Sequence, residues 1–583
     1  MKSARVSLLG LAAASLALSI AAWWGMIQAF PLHQGGDGFY FYRSLEATRM
    51  SLRFHHELPF WNPYECGGVP LWDNPQGLAT SPLAELLLLF GSNFALDAWY
   101  VIHSAIGFFG MWLLTRRVLS LGYAGSLLGS AAFAFSGFHW QHYSGGHASF
   151  VGFEFFPLAL YLWRTSELSI RRASLLGFLL GWMLLGASTY PLPHLLLLLG
   201  AETLTRIFSK KRALGILRSG AIVGVIAFLV GAAKLLPLLA QFAARPRGLG
   251  PEHDTLNLHL VTEMFLARTH EWPVPGQAYV WPEYGAFVGP TVIAFFFLGL
   301  LFVGRARLWL LPLFVLTTLL MWGHFAEWAP WSVLKGHIFP FKEMRVPSRF
   351  VASVTLFVAA FAGIGVDRAT EFFESLASGT ARRLALSRAV FVVAMLGVGD
   401  LLLTPLPWIQ SRFVTPTPAA RPAPVARFYL DGPALPGPLE LIAQNRGSAA
   451  CFEDWGDLSG AKLWSGDVPQ ARAIDANIVV EVANRTANTF TIDVDAAHAG
   501  RVLLNSNYDR NWSSDVGVVV PQGKQLAIDV PEGRHRLNVR YRPARIAIGI
   551  TLTILGFLLT ILLATRGDRL RAMFVRKSPS STA

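Results

Sequence analysis

The chain has 583 residues, 53% of them hydrophobic and only 15% charged, with a net charge of +13 at pH 7. A soluble domain carries roughly a quarter charged residues, so the composition excludes one large soluble core and predicts a protein of many membrane spans. The basic excess does not indicate nucleic acid. It falls in clusters where cytoplasmic loops are needed: Arg116-Arg117, Arg171-Arg172, Lys210-Lys211-Arg212, Arg305 with Arg307, Arg382-Arg383 and the tail from Arg566 to Lys577. No Walker A, GxSxG, HExxH or dinucleotide fingerprint is present, which leaves a nucleotide-driven pump or a standard serine hydrolase without support.

In chain order, residues 6–30 form the first expected span. The apolar stretch is longer than the roughly 7–15 residues of a signal peptide, and Trp23-Trp24 suit a membrane interface. The first outside loop, 31–94, opens with "HQGGDGFYFYRS". Asp37, flanked by glycines, is either a turn or N-cap residue or a carboxylate with room beside it for a substrate. From Asp37 to about Glu57 the pattern is helical. Phe41, Leu45, Thr48 and Leu52 form one stripe, and Glu46, Arg49, Arg53 and His56 another. A plain amphipathic connector fits that pattern too.

"ELPFWNPYECGGVPLWDNPQGLATSPL" follows, irregular but too aromatic to be floppy. Trp61, Tyr64 and Trp72 offer flat faces to sugars or anchor the interface. Asn62, Asp73, Asn74 and Gln76 are suited to binding hydroxyls. The run 81–90 is too short for a span and is read as a re-entrant or interfacial helix.

Further spans are expected at 95–115, 121–138, 149–163, 172–187, 190–208, 217–240, 285–303, 307–323, 349–366, 387–408 and 544–565, about twelve in all. Starting inside, every second connection carries a basic cluster, so 31–94, 139–148, 241–284, 323–348 and 409–543 lie outside. Both cysteines, Cys66 and Cys451, fall outside, which leaves a disulfide open; no CxxC exists.

"FHWQHYSGGHAS" sets His139, His142 and His147 in one outside loop, a weak zinc pattern better suited to hydrogen bonding of substrate or lipid headgroups. Glu154, Lys234 and Asp400 lie within apolar spans. "HIFPFKEMRVPSRF" puts His337, Lys342, Arg345 and Arg349 on the outside, against the positive-inside trend. Such a cluster grips phosphate, or snorkels, or pairs with Glu343. A proline-rich linker then leads to strand-like runs, "NIVVEVA", "TFTIDVDA", "RVLLNSNY", "VGVVV", "QLAIDV" and "HRLNVRYRP", predicting a small antiparallel β-sandwich. The expected organisation is a membrane domain at 1–408, the linker and β-sandwich at 409–543, and a final span with basic tail at 544–583.

"GGDGFYFYRS", "LPFWNPYECGGVPLWDNPQG" followed by "SPL", "FKEMRVPSRFVASVTLFVAAFAGIGVD" and "NYDRNW…VPEGRHRLNVRYRP" before a final span together resemble the YfhO family of bacterial membrane proteins, in order over nearly the whole chain. That family resembles the GT-C glycosyltransferases, polytopic enzymes that take a sugar from a polyprenyl-phosphate carrier. The resemblance implies a polytopic α-helical, GT-C-like membrane protein with an extracytoplasmic β-sandwich. A bacterial inner-membrane location is expected, and the alternation of basic clusters predicts both termini cytoplasmic and the active site on the outer face. The resemblance implies an inverting transfer from a polyprenyl-phosphate sugar to an extracytoplasmic glycan, lipid or polymer, with membrane lipids as further partners. Asp37 carries over as the candidate catalytic carboxylate; Lys342, Arg345, Arg349 and His337, in a stretch the resemblance also covers, are the expected donor phosphate ligands. From their own chemistry, Trp61, Asn62, Tyr64, Trp72, Asn74, Gln76, His139 and His142 are the expected sugar and acceptor contacts. GT-C enzymes often show two adjacent acids; here "GDG" stands alone, and Glu46 is the next acid. Asp37 and Glu46 are the expected ligands if a divalent cation, Mg2+ or Mn2+, takes part. The rival is a non-enzymatic lipid or polysaccharide transporter or flippase, marked by charges lining a path through the spans. A third reading is a structural protein whose β-domain binds a partner.

Overall fold

The helix Val351–Ser375 is the hub of the membrane domain, with the faces of its first four turns buried on all sides. Its sequence, "VAAFAGIGVD", explains why: small residues let neighbouring backbones close in. A Cβ on Gly365 would stand 1.9 Å from the Phe295 carbonyl, and one on Gly299 1.8 Å from the Phe361 carbonyl, so the helix Gly289–Leu301 crosses in direct backbone contact. On another side Gly363 and Gly125 play the same part against the helix Tyr123–Ala134. The structure, a computed structural model, describes residues 7–167, 169–207, 210–245, 254–268, 274, 276–416, 427–432, 440–452, 458 and 461–576. Most of the proline-rich linker (417–426 and 433–439), Lys577 of the basic tail and part of the 241–284 loop lie outside these.

Among the described residues, five helical segments are long and apolar enough to cross a membrane: Ser92–Val118, Ala213–Ala244, Pro347–Ser375, Thr380–Arg412 and Ile546–Asp568. Leu8–Ala22, Gly289–Leu301 and Leu310–Met321 are shorter apolar helices. The expected count of about twelve is not reached by this measure. The helices Tyr123–Ala134, Phe156–Ser166, Ile170–Leu185 and Pro191–Ile207 have only 11 to 17 residues. At ~1.5 Å per residue the longest rises about 26 Å, short of a ~30 Å hydrocarbon core. The expected span at 149–163 starts as the 3-10 turn Ala148–Phe155 and becomes α-helical only at Phe156, where Pro157 suits a first turn. The first span breaks at Trp23 into Leu8–Ala22 and Trp24–Ala29. Residues 81–90 are the helix Pro82–Leu87, capped by Ser81, and the 3-10 turn Leu88–Phe90. Nine helical residues rise at most about 18 Å and cannot span.

The six strand-like runs are strands. Two four-stranded antiparallel sheets stack face to face. One orders Val518–Gln522, Gln525–Val530, Gly500–Asn507 and Ala471–Ala473; the other Trp512–Ser514, Gly533–Tyr541, Thr489–Ala496 and Ile478–Arg485. Period-two alternation sends Phe490, Ile492, Val494 and Ala496 inward, with Ile492 opposite Leu537.

The aromatic loop after residue 57 joins this domain to the membrane domain. Trp61 enters the β-core against Tyr541 and Trp512, with ring centroids 4.6 and 5.3 Å away. Asn507 Nδ2 donates to the carbonyls of Cys66 and Gly68 at 2.6 and 2.8 Å. Gly68 must be glycine: its φ is +107°, and a Cβ would meet the Trp61 ring at 2.6 Å. Cys66 and Cys451 form a disulfide across 385 residues of sequence. On the membrane side, Pro237 lies inside the helix Lys210–Ala244 and has no N–H for the Ala233 carbonyl. Trp72 Nε1 donates to that carbonyl at 2.8 Å. Lys234 Nζ, buried one residue on, donates to the carbonyls of Trp72, Asn74 and Gly77.

Candidate active site

The helix Asp37–Arg53 begins at Gly36, whose φ of +60° turns the chain sharply before Asp37. Its approach is held by backbone pairing of His33–Gln34 with Phe413–Thr415. Against this turn lies a second glycine pair. Gly146 has φ +92°, and a Cβ there would stand 2.0 Å from the Gly38 nitrogen and 2.7 Å from the Asp37 carbonyl carbon. Only a glycine lets the two backbones come so close.

That contact delivers His147. Its Nε2 lies 2.9 Å from Asp37 Oδ2, and its Nδ1 lies 2.6 Å from Nδ1 of His142, on the short helix Gly137–Ser144. Behind them Arg349 is held by Glu283, with Nε to Oε2 at 2.6 Å and a second contact from Nη2 to Oε1. The guanidinium lies over the rings of Phe150 and Tyr190, 4.6 and 4.5 Å from their centroids. Ser348 Oγ donates to the Glu283 carbonyl at 2.8 Å.

Burial works to raise the Asp37 carboxyl, but the His147 hydrogen bond and the Arg349 charge outweigh it and hold the group below the usual 3.8. Burial also works to raise Glu283, and the charge and hydrogen bonds of Arg349 outweigh it in the same way. With 44% of its side-chain surface exposed, Asp37 is an ionised carboxylate open to solvent on one side and fixed on the other.

Of the sequence-predicted residues, Asp37, His142 and Arg349 meet here. Lys342, Arg345 and His337 are exposed in the segment leading to Arg349, and the Arg345 carbonyl accepts from the Tyr190 hydroxyl. His139 is buried elsewhere, 3.3 Å from Glu154, which also takes the Tyr143 hydroxyl. The aromatic loop is corrected from sugar platform to joint. Trp61 and Tyr64 are 1% and 3% exposed and Trp72 6%, so none offers a face to a sugar. Tyr64 donates to Asn445, Asn62 Oδ1 accepts from the Tyr64 N–H, and Asn74 Oδ1 accepts from the Gln76 N–H. Asn74 also donates to the Tyr40 hydroxyl. Asp400 pairs with Arg268 at 2.8 Å.

Glu46 does not reach Asp37. It is buried two and a half turns along the helix, bound by Arg49 at 2.6 Å and Ser92 Oγ at 2.5 Å. The expected cation pair therefore does not fit, and among the described residues no group of three or more His, Cys, Asp or Glu is arranged to hold a metal ion. Glu283 and Tyr190 are the residues sequence reasoning passed over. Phosphate binding is the favoured expectation for the cluster that holds Arg349, with an ion pair to Glu343 as the alternative; the partner of Arg349 is Glu283, 66 residues upstream. The available signal was an acid in an outside loop, in "WPEYG", able to neutralise a cation near a low-dielectric region.

No protein-family model matches the chain, and no curated protein does. Among solved structures it is similar to the arabinofuranosyltransferase AftD from Mycobacteria, with 15% identity and a TM-score of 0.41 over 68% of this chain and 27% of that one. It is similar also to an Archaeoglobus fulgidus oligosaccharyltransferase in the apo form, with 12% identity and a TM-score of 0.45 over 78% of this chain and 65% of that one. A third is the oligosaccharyltransferase AglB of the same organism, in complex with an inhibitory peptide and a dolichol-phosphate, with 12% identity, a TM-score of 0.44, and 76% and 64% coverage. The chain thus spans less than two thirds of the length of each.

Proposed function

We propose that this chain is a GT-C-type membrane glycosyltransferase that moves a sugar from a polyprenyl-phosphate donor to an extracytoplasmic glycan, lipid or envelope polymer. The observation that carries the reading is Asp37. It is a solvent-open carboxylate at the end of the first apolar run, kept ionised by His147 and placed beside the Arg349–Glu283 pair. The sequence resemblance to the YfhO family supports the same class.

The chemistry follows from those groups. Asp37 takes the proton of the acceptor hydroxyl. The freed oxygen attacks the anomeric carbon of the donor sugar while the bond from that carbon to the phosphate oxygen breaks. The phosphate leaves with the electron pair, and in-line attack inverts the anomeric centre. The leaving charge is met by exposed cations, Lys342 and Arg345, with His337 in the same segment. Arg349 is committed to Glu283 and contributes its field rather than a grip on the phosphate. The alternation of basic clusters supports an inner-membrane protein with both termini cytoplasmic and this site on the outer face.

The test is sugar transfer in proteoliposomes from a panel of labelled polyprenyl-phosphate sugars, comparing wild type with Asp37→Asn at matched stability. Transfer by wild type and a loss above ~100-fold in the variant is the expected result. Equal activities would make Asp37 a turn residue. Lipid movement across the bilayer without sugar transfer would replace the enzyme by a flippase.

A further inference from the structure

Two imidazoles stand behind Asp37, and base catalysis by a carboxylate does not by itself require them. A neutral imidazole has one N–H and one lone pair. The 2.6 Å contact between the Nδ1 atoms of His142 and His147 needs a proton on one and a lone pair on the other. If a neutral His147 held that proton, its Nε2 lone pair would face the Asp37 oxygen 2.9 Å away, which is repulsive. If His142 holds it, the proton of His147 is forced to Nε2 and donates to Asp37.

The surroundings of His142 favour the second arrangement. It is fully buried, with Phe138 and Phe150 edge-on at 4.4 and 4.7 Å, and its Nε2 has no hydrogen-bond partner among the described residues. A bare lone pair is more easily tolerated there than an N–H with no acceptor. Burial, with the nearby Arg349 charge, pushes the His142 imidazole well below its ordinary value and keeps it neutral.

We propose that His142 and His147 are positioning residues for Asp37: His142 donates from Nδ1 and sets the tautomer of His147, and His147 donates from Nε2 and aims the carboxylate at the acceptor hydroxyl. The inference rests on the reading of Asp37 as the base. It is the logic of an orienting third group behind a catalytic pair, with the carboxylate as the working end. The groups facing the relay are Asp37 on its own helix, Arg349 with Glu283 on the opposite side, Tyr190 beneath the guanidinium, and His139 one turn from His142. His194 lies beyond Phe153, within the field of Arg349. Because the His147 hydrogen bond favours the Asp37 carboxylate over its acid, losing the relay moves the acid limb of the pH profile upward.

Amide substitutions separate positioning from packing. The Asn nitrogen falls near the imidazole Nδ1 position, and the Gln nitrogen near Nε2. His147→Gln keeps a donor toward Asp37, and His147→Asn does not. His142→Asn keeps the donor toward His147, and His142→Phe only fills the space. In proteoliposomes with a donor the wild type uses, His147→Asn and His142→Phe are expected to lose about 10–100-fold in kcat, with KM nearly unchanged and the acid limb shifted to higher pH. His147→Gln and His142→Asn recover most of the rate and the wild-type limb. Equal loss from the Asn and Gln variants at His147, with an unmoved limb, would overturn the proposal. A second readout needs no turnover: 15N-histidine spectra of the full chain in liposomes, with the His142 signals identified by His142→Asn. His142 protonated at Nδ1 and bare at Nε2 supports the relay, and an Nε2-protonated His142 overturns it. If no donor supports transfer by wild type, the glycosyltransferase reading falls, and the spectra still decide the tautomers.

Discussion

The Gly146 backbone presses on Gly38 so tightly that the 2.0 Å a Cβ would leave to the Gly38 nitrogen is no room at all. This contact, not the histidine spacing, is what sets His147 against Asp37. Gly146→Ala therefore combines a clash with a φ of +92°, a backbone strain of roughly 1–3 kcal/mol. The expected outcome is a folded protein with a lower melting temperature and a larger fall in sugar transfer. Gly200→Ala, on an exposed helix face with open space around it, is the control and leaves both unchanged or slightly improves stability.

Glu283 neutralises an arginine in a poorly solvated place. Its side chain is 9% exposed and that of Arg349 15%. Glu283→Gln leaves the guanidinium without its counter-charge and should cost about 3–5 kcal/mol. The pH sign follows from the depressed carboxyl. The stabilisation is present above the ordinary 4.5 and is lost as pH falls through the lower folded value. Melting curves of wild type should drop on acidification below that point. Those of the variant should start lower and fall less. A variant as stable as wild type at pH 7 would remove the pair from the account.

Asp73 titrates in the opposite sense. It is buried at the joint, its Oδ1 has no hydrogen-bond partner among the described residues, and burial, with the nearby Asp509 charge, pushes it up to about 7. A raised folded value means its contribution is fully present below the ordinary 3.8 and is lost as pH rises to about 7. Asp73→Asn removes that loss. Its advantage over wild type should grow between these limits to on the order of 4 kcal/mol and then level off. A melting-temperature difference that stays constant from acid to neutral pH would contradict this.

Trp61 separates joint from sugar platform. As a core residue of the β-sandwich, Trp61→Ala opens a cavity and should cost about 3–5 kcal/mol. Thermal unfolding followed at the β-domain would show it directly. A variant with unchanged melting and only a raised KM would restore the platform reading.

Much of this was legible from the chain alone. Alternation in "TFTIDVDA" dictates a strand with Phe490, Ile492 and Val494 inward, because a pleated strand has no other way to bury them. Asp37 stood out because a carboxylate between glycines at the end of an apolar run is costly to keep there without a use. The basic cluster before Val351 stood out because it broke a charge rule. These are local arguments, and local physics suffices for them.

What the sequence could not decide was which groups meet. It put Arg349 in a basic cluster suited to phosphate, with the near Glu343 as the alternative partner, and did not find Glu283. It recognised Trp61, Tyr64 and Trp72 as too aromatic to be idle, yet could not tell a face turned to a sugar from one turned into a β-core. It put His139, His142 and His147 in one loop, and only the fold sent His139 to Glu154 and His147 to Asp37. It left the Cys66–Cys451 pairing open. Burial pattern and charge rules are properties of a segment. Pairing across 66 or 385 residues depends on how the helices cross, and that is set by glycine contacts such as Gly146 on Gly38 and Gly299 on Phe361, which carry no side-chain signal at all.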